Sequence, residues 1–423
     1  MNDYDVIVIG GGTTGVIAAV QASRAGARCL LIEKSGMCGG TMTSAGVSFP
    51  GLFHAWGRQV IAGIGWELVE RCVREMGDTM PDFSDLTKRH WEHQVQVDRS
   101  LYAMLCDEAL ADAGVEVLFH TMIAGLRRTD DTWELTLCTK SGLRSIPTRV
   151  VIDCTGDANV IALAGGEINT SDEFQPGTLI YSVSGYDVET LDVDAINRAF
   201  VAEVEAGRLL ITDICWETSE PDVSLWLHVH GGNRGHIAVE NAQSSEGKTR
   251  LELDSRAVLL RVFRFLRTQP GLSDLRIDFM APESGVRESV TFVGEETITV
   301  EDYESGRMWP DAVCYAFYPI DLHTIEEKRL EYRGLSEGVV PTVPLRALIP
   351  RDMPDMLGAG RCLSSDRVAN SSLRVQATCM ATGQAVGALA ALAVRQSCDV
   401  RDVPLGDLHD MLREHGAIVP EQE

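Results

Sequence analysis

The sequence has no Cys-x-x-Cys pair, and its eleven cysteines are scattered. An odd, dispersed set excludes a disulfide scaffold and a thiolate zinc site. The chain is also poor in basic residues: 37 Lys and Arg stand against 62 Asp and Glu, a formal charge of -25. So acidic a chain repels phosphate backbones and anionic lipid, which argues against nucleic acid and membrane surfaces as partners and against a tRNA-modifying role. No apolar run reaches the ~20 residues a membrane span needs. The longest, 380–394, is rich in Ala and Gly, is broken by Thr382 and Gln384, and reads as a buried core helix. There is no fixed-period repeat and no low-complexity linker, which excludes solenoids and a mainly disordered state. Met1-Asn2-Asp3-Tyr4-Asp5 lacks the basic start of a signal peptide. Together with the cysteine usage, this leads to the expectation of a soluble, cytoplasmic protein.

What is present is an α/β pattern. Val6-Ile7-Val8-Ile9 is a continuous apolar run, as in a parallel strand buried on both faces. A glycine-rich turn follows, then a helix over 14–26 and a second strand over 29–32 ending at Glu33. Gly10-Gly11-Gly12-Thr13-Thr14-Gly15 fits G-x-G-x-x-G inside this βαβ unit. Gly10 allows the tight turn, Gly12 lets backbone approach a pyrophosphate, and Gly15 lets helix and strand pack closely. Thr13 and Thr14 open the helix, whose N-terminus would face the diphosphate. Glu33, 18 positions after Gly15, is placed to bind ribose hydroxyls and would repel a 2′-phosphate, which disfavours NADP.

Three further segments favour FAD over NAD. Glu33-Lys34 leads into Gly39-Gly40-Thr41, a loop able to continue along a longer cofactor. Val151-Ile152-Asp153-Cys154-Thr155-Gly156-Asp157 is a strand ending in a close-approach glycine. Gly358-Ala359-Gly360-Arg361 precedes a long small-residue helix over 372–396.

Between these segments the pattern predicts helices over 60–76 and 97–113, a strand over 115–119 and a hairpin over 133–138 and 144–148. A separate short strand is expected over 150–153. From about 166 to 335 strands (179–184, 224–230) alternate with helices (193–207, 254–268), and a short helix covers 407–415. The expected fold is α/β: a Rossmann-like FAD-binding domain assembled from both chain ends, 1–165 and 336–400, with an inserted α+β substrate domain, 166–335, and a C-terminal helix and tail, 401–423.

With these motifs in place, the chain resembles the FAD-dependent oxidoreductases of the glutathione-reductase-like superfamily. Within it, it most resembles a widespread bacterial FAD-dependent oxidoreductase family. The resemblance runs through the first 40 residues, Gly285-Val286-Arg287-Glu288-Ser289, Ile320-Asp321-Leu322-His323, Val343-Pro344-Leu345-Arg346-Ala347-Leu348, and 358–391. It implies FAD in extended form, with the helix after Ser372 aiming its N-terminus at the flavin pyrimidine ring. Arg361 would contact phosphate or ribitol. Asn370, Ser371, Ser372, Arg374 and Val375 would lie along the ring, although Arg374 equally suits a surface salt bridge.

Several family devices are missing. No second G-x-G-x-x-G unit is available to dock NAD(P)H. Met42-Thr43-Ser44-Ala45-Gly46 stands where disulfide reductases carry paired cysteines, and the Asp-Gly motif of aromatic hydroxylases is absent. The expected reaction is therefore hydride transfer from a small organic substrate to flavin N5, with a base removing the proton and O2 or a separate carrier as acceptor.

Candidate catalytic groups follow. His228 and His230 would share a strand face with Trp226, either as base and orienter over the flavin or as solvent-facing side chains; a metal pair would want a third ligand. Asp321 and His323 share a face of an extended segment, where the carboxylate would fix the imidazole tautomer. Arg287 could bind a substrate carboxylate or sit over the flavin, or pair with Glu288 or Glu283; Arg346 has the same ambiguity. Cys38 and His54 raise covalent flavin attachment, against the ordinary inertness of a buried cysteine. Few basic clusters occur in the insertion, which favours an uncharged alcohol, amine or sugar-like substrate. A flavin-dependent reductase or monooxygenase and a non-catalytic partner-binding protein are the alternatives. A homodimer, or an electron-acceptor protein as partner, is expected from similar proteins.

Overall fold

The computed structural model describes residues 4–214, 222–233, 235–238, 241–324 and 329–421. The apolar run at the N-terminus forms β1 (Tyr4–Ile9), buried almost throughout. It leads through the glycine turn into α1 (Thr13–Arg24) and β2 (Cys29–Ile32). Helices α2 (Ile64–Met76) and α3 (Arg99–Ala113) follow, and then β3 (Glu116–Leu118). Three long strands come next, β4 (Met122–Thr129), β5 (Thr132–Thr139) and β6 (Gly142–Asp153).

The hairpin strand and the short apolar strand expected separately over 144–153 are one strand, β6. Its first half pairs antiparallel with β5, from Gly142 opposite Thr139 to Thr148 opposite Trp133. Its second half runs parallel to β1, where Val151 lies opposite Ile7 and Asp153 opposite Ile9. The sequence changes character accordingly, from an exposed start to the fully buried Val150, Val151 and Ile152.

The middle of the chain contributes short strands at Gly177–Thr178 and at Tyr181–Ser184, here β7. Then come α4 (Val193–Glu205), α5 (Val223–His228), a two-residue strand at His236–Ile237, α6 (Ser245–Leu266) and β8 (Arg276–Met280). These elements surround their own core, which includes Phe200, Trp226, Leu259, Val262 and Leu272. Farther along, Tyr303, Val313, Ile320 and Val343 pack instead into the large core that contains β1 and α1.

The strand expected over 224–230 is the helix α5. Val223, Trp226 and Leu227 are its buried residues, a spacing that suits a helical face rather than alternation. Asp222 caps its N-terminus by accepting from Ser224 N–H at 2.8 Å.

The last third supplies β9 (Ile320–Thr324), which pairs with β10 (Arg329–Arg333), and then β11 (Met356–Gly358). β11 joins β6 in parallel, with Leu357 opposite Ile152. The principal sheet therefore runs β3-β2-β1-β6-β5-β4 with β11 also on β6, and it takes strands from distant parts of the chain. The single helix expected over 372–396 is interrupted. α7 (Arg367–Leu373) ends at Arg374, Val375 is extended at φ -66° and ψ 140°, and α8 (Gln376–Gln396) begins there. α8 is long and apolar enough to cross a membrane, but 89% of its apolar stretch is buried in the protein. It packs most closely on α1, and α9 (Leu405–Glu414) lies against it.

Candidate active site

The glycine turn is built as the motif requires. Gly10 has φ +100° and touches the Cys154 carbonyl; a Cβ on Gly15 would lie 1.8 Å from the Gly10 oxygen. Gly12 differs, because a Cβ there would meet nothing within 4 Å. Its outward face is open, while its neighbours are closed by packing. The buried Glu33 carboxylate is held at the mouth of this turn, accepting from Gly11 N–H at 2.6 Å and Ser35 N–H at 2.7 Å. The next loop lies alongside: Gly39 N–H donates to the Gly11 carbonyl at 2.8 Å, and a Cβ on Gly40 would come within 2.8 Å of Gly12 Cα. Thr13 and Thr14 are buried, and Thr41 is exposed on a short turn. Lys34 points away to an ion pair with Glu283 at 3.3 Å.

A second group forms where β6 and β11 end side by side. Arg361 Nη2 lies 2.6 Å from Asp157 Oδ1, and Ser289 Oγ–H donates to the same carboxylate oxygen at 2.7 Å. Arg361 Nη1 also donates to Ser289 Oγ at 2.7 Å, and Gly156 is the glycine that lies under the guanidinium. Gly360, at φ +83°, sits against the Thr14 side chain. Asn370 donates to the Arg361 carbonyl at 2.9 Å, and Ser372 donates to the Pro319 carbonyl at 3.0 Å. Both side chains thus brace backbone. The Ala377 N–H in the first turn of α8 donates to the Pro50 carbonyl at 2.8 Å. The Gln376 side chain is anchored through Nε2 to the Val47 carbonyl, and its Oε1 is buried without a partner. An open glycine face, a buried carboxylate at the mouth of the turn, a basic group beyond the strand ends and an orphaned acceptor fit an elongated dinucleotide.

The third group gathers titratable side chains from four segments, with Gln175 from a fifth. On β9, His323 Nε2 lies 3.4 Å from Asp321 Oδ1. Burial by itself would raise the Asp321 pKa, but the hydrogen bond and charge of His323, with Arg374 and Arg287 nearby, hold it below its ordinary value. Burial pushes His323 down, and Arg287 and Arg374 add to this against the pull of Asp321. His323 is therefore a neutral imidazole at neutral pH. Since a carboxylate only accepts, Nε2 carries the proton, and Nδ1 is left as the acceptor. That Nδ1 is buried without a partner. Arg374 Nη2 reaches the Asp321 carbonyl at 3.0 Å and Gln175 Oε1 at 3.1 Å, and Gln175 Oε1 also accepts from His323 N–H at 3.2 Å. Arg374 is thus a buried member of this group and not a surface salt-bridge residue.

Arg287 makes none of its expected ion pairs. It donates to the Pro176 carbonyl at 2.8 Å, to Thr178 Oγ1 and to His236 Nε2 at 2.8 Å. Glu288 is occupied by Arg367 at 2.8 Å. The His236 ring stacks on that of His323, with centroids 5.2 Å apart. Sequence reading missed His236: its strand is two residues long, and it follows a stretch without alternation. Gln175 was missed as well, because its role depends wholly on neighbours distant in sequence.

His228 and His230 do not join this group. Both are exposed, and they no longer share a strand face. His228 Nδ1 bonds the Ser224 carbonyl at 2.8 Å, and His230, at φ +53°, lies against Tyr186. No cluster suited to a metal ion occurs among the described residues. Arg346 ion-pairs with Asp311 at 3.1 Å and Glu296 at 3.2 Å. Cys38 is fully buried, and burial, then Asp107 and Glu33, push its thiol up to about 12, so it is a poor nucleophile. His54 stacks face to face on Phe83 with centroids 3.8 Å apart.

The family model for FAD dependent oxidoreductases matches residues 5–412. The chain belongs to this family. It is an oxidoreductase, and its cofactor is FAD. The dihydrolipoyl dehydrogenase of Trypanosoma brucei brucei is 42% identical over 55 residues, which are 13% of this chain and 12% of that enzyme. Among solved structures, a geranylgeranyl bacteriochlorophyll reductase-like protein from Thermoplasma acidophilum is 12% identical. That match covers 97% of this chain and 83% of the other, with a TM-score of 0.45. The p-nitrophenol 4-monooxygenase of Pseudomonas putida is 11% identical over 98% of this chain and 84% of its own, with a TM-score of 0.43.

Proposed function

We propose that this enzyme oxidises a small organic substrate, an alcohol, amine or sugar-like compound, on a glutathione-reductase-like scaffold, with O2 or a separate carrier as final acceptor. The observation that carries this reading is the Asp321–His323 pair, with His323 Nδ1 buried and free to take a proton. Asp321 holds the imidazole in the tautomer a base needs and stabilises the charge it gains. Gln175 and Arg374 fix the backbone of β9 that carries the ring. Bound FAD supplies the two-electron acceptor.

Gly12, Glu33, Gly39 and Gly40 would hold its diphosphate and ribose, and Gly156, Asp157, Gly360 and Arg361 the region beyond. Val375 and the start of α8 would lie toward the ring.

The test is an absorption spectrum of the purified protein before and after acid precipitation, followed by anaerobic substrate screening. Flavin released into the supernatant, and bleached by an organic substrate but not by NAD(P)H, is the expected result. Rapid bleaching by NAD(P)H alone would reverse the direction proposed. A protein that stays colourless with added FAD would remove the catalytic reading.

A further inference from the structure

The third group of side chains holds more positive than negative charge. Arg287 and Arg374 both act on Asp321, which lies 3.8 Å from Arg374. Among the described residues Glu288, next to Arg287 in the chain, is taken by Arg367 at 2.8 Å, and Asp157 by Arg361 at 2.6 Å. Among the described residues Arg287 pairs with no carboxylate, and its hydrogen bonds go to a carbonyl, a hydroxyl and an imidazole. A cation taken out of water among neutral acceptors is costly until an anion joins it. The guanidinium shows this, since burial and the neighbouring Arg374 bring it down to about 10.

An independent feature points the same way. The Gln175 oxygen accepts two hydrogen bonds, from Arg374 and from His323 N–H. This orients the amide, so Nε2 is a donor, and it is buried with no acceptor. Gln175 is 1% exposed and adjoins Pro176, whose carbonyl holds Arg287. Among the described residues the site thus presents a cation without a carboxylate partner, an amide donor without an acceptor, and one acceptor, His323 Nδ1, without a donor. The Asp321 side chain, 26% exposed, marks the side open to solvent.

We infer that the substrate is a small hydroxy acid, with its carboxylate on Arg287 and the Gln175 amide and its hydroxyl donating to His323 Nδ1. This inference rests on the oxidation proposed above. In that reaction the carbinol C–H and O–H bonds break and a C=O bond forms; the hydride electron pair passes to FAD and the proton to His323. It departs from the uncharged substrate expected from the sequence, because Arg287 and Arg374 are far apart in the chain and form no visible basic cluster.

The test measures binding separately from turnover. FAD-loaded protein is titrated with glycolate, lactate, malate and mandelate, and with the matching neutral amides, by calorimetry and by the shift of the flavin absorption bands. The expected result is that at least one acid binds about tenfold or more tighter than its amide. Arg287→Gln should abolish that preference while retaining FAD. Should that variant fail to fold, Gln175→Glu, which sets a like charge beside the carboxylate, should weaken the acid and spare the amide. Amides binding as tightly as acids, or no acid binding, overturns the inference. So does a retained preference in Arg287→Gln with lowered FAD affinity, which would assign the arginine to the cofactor. Failure of the oxidation reading looks different: acids bind with the expected preference, and the flavin is not bleached.

Discussion

Gly383 on α8 lies so close to α1 that a Cβ there would stand 2.4 Å from the Thr14 carbonyl oxygen. Gly387, one turn on, is as close to the Ala18 carbonyl, at 2.3 Å. The two glycines let α8 rest on the backbone of the helix that carries the dinucleotide turn. Gly383→Val should overpack this contact and cost about 1–3 kcal/mol. A lower urea midpoint together with a lower FAD-to-protein ratio checks it; an unchanged midpoint would show that the helices have room to part.

Gly12 and Gly15 should respond oppositely to alanine. At Gly15 the Cβ would collide with the Gly10 carbonyl at 1.8 Å, so the apoprotein itself should be destabilised. At Gly12 the Cβ enters open space and φ is -67°. Gly12→Ala should keep the apoprotein melting temperature and weaken FAD binding by about tenfold or more. Equal melting losses in both variants would mean that Gly12 is a packing glycine.

His323→Ala should slow anaerobic flavin bleaching by about a hundredfold or more without loss of FAD, the scale of a lost general base. His228→Ala and His230→Ala should bleach at the parent rate, since both side chains are exposed outside the group. A slow His230→Ala variant with a normal His323→Ala variant would move the base to the other segment.

The same pair predicts a pH signature. Asp321 pulls the His323 pKa upward against burial. Asp321→Asn should therefore lower it further, so the acid limb of kcat/KM should move to lower pH while the plateau rate falls. A limb that stays in place would dissociate His323 from the proton transfer.

His54 should make stability depend on acidity. Burial, then His93, lower its pKa from 6.5 to about 4, and its Nδ1 is buried without a partner. The unfolded chain then binds a proton that the folded chain refuses, so stability is lost as pH falls from about 6.5 toward 4. His54→Phe keeps the stack on Phe83 and removes this term. Its melting temperature should fall less than the parent's over that range; parallel curves would contradict the assignment.

Local pattern determined the parts that depend only on neighbours in the chain. The buried run of β1, the G-x-G-x-x-G turn, Glu33 at the end of β2 and the small-residue helix α8 were legible because backbone sterics and burial act over a few residues. Asp321 and His323 were legible as a pair because a strand places alternate residues on one face. Tertiary structure decided the rest. A short segment with Trp226, His228 and His230 fits either period, and packing of Val223, Trp226 and Leu227 chose the helix. Strand β6 changes partners midway, which depends on β1 and β11 arriving from far away in the chain. The charge of the site follows the same rule: Gln175, His236, Arg287 and Arg374 acquire their roles only once burial removes the water that would otherwise satisfy each of them.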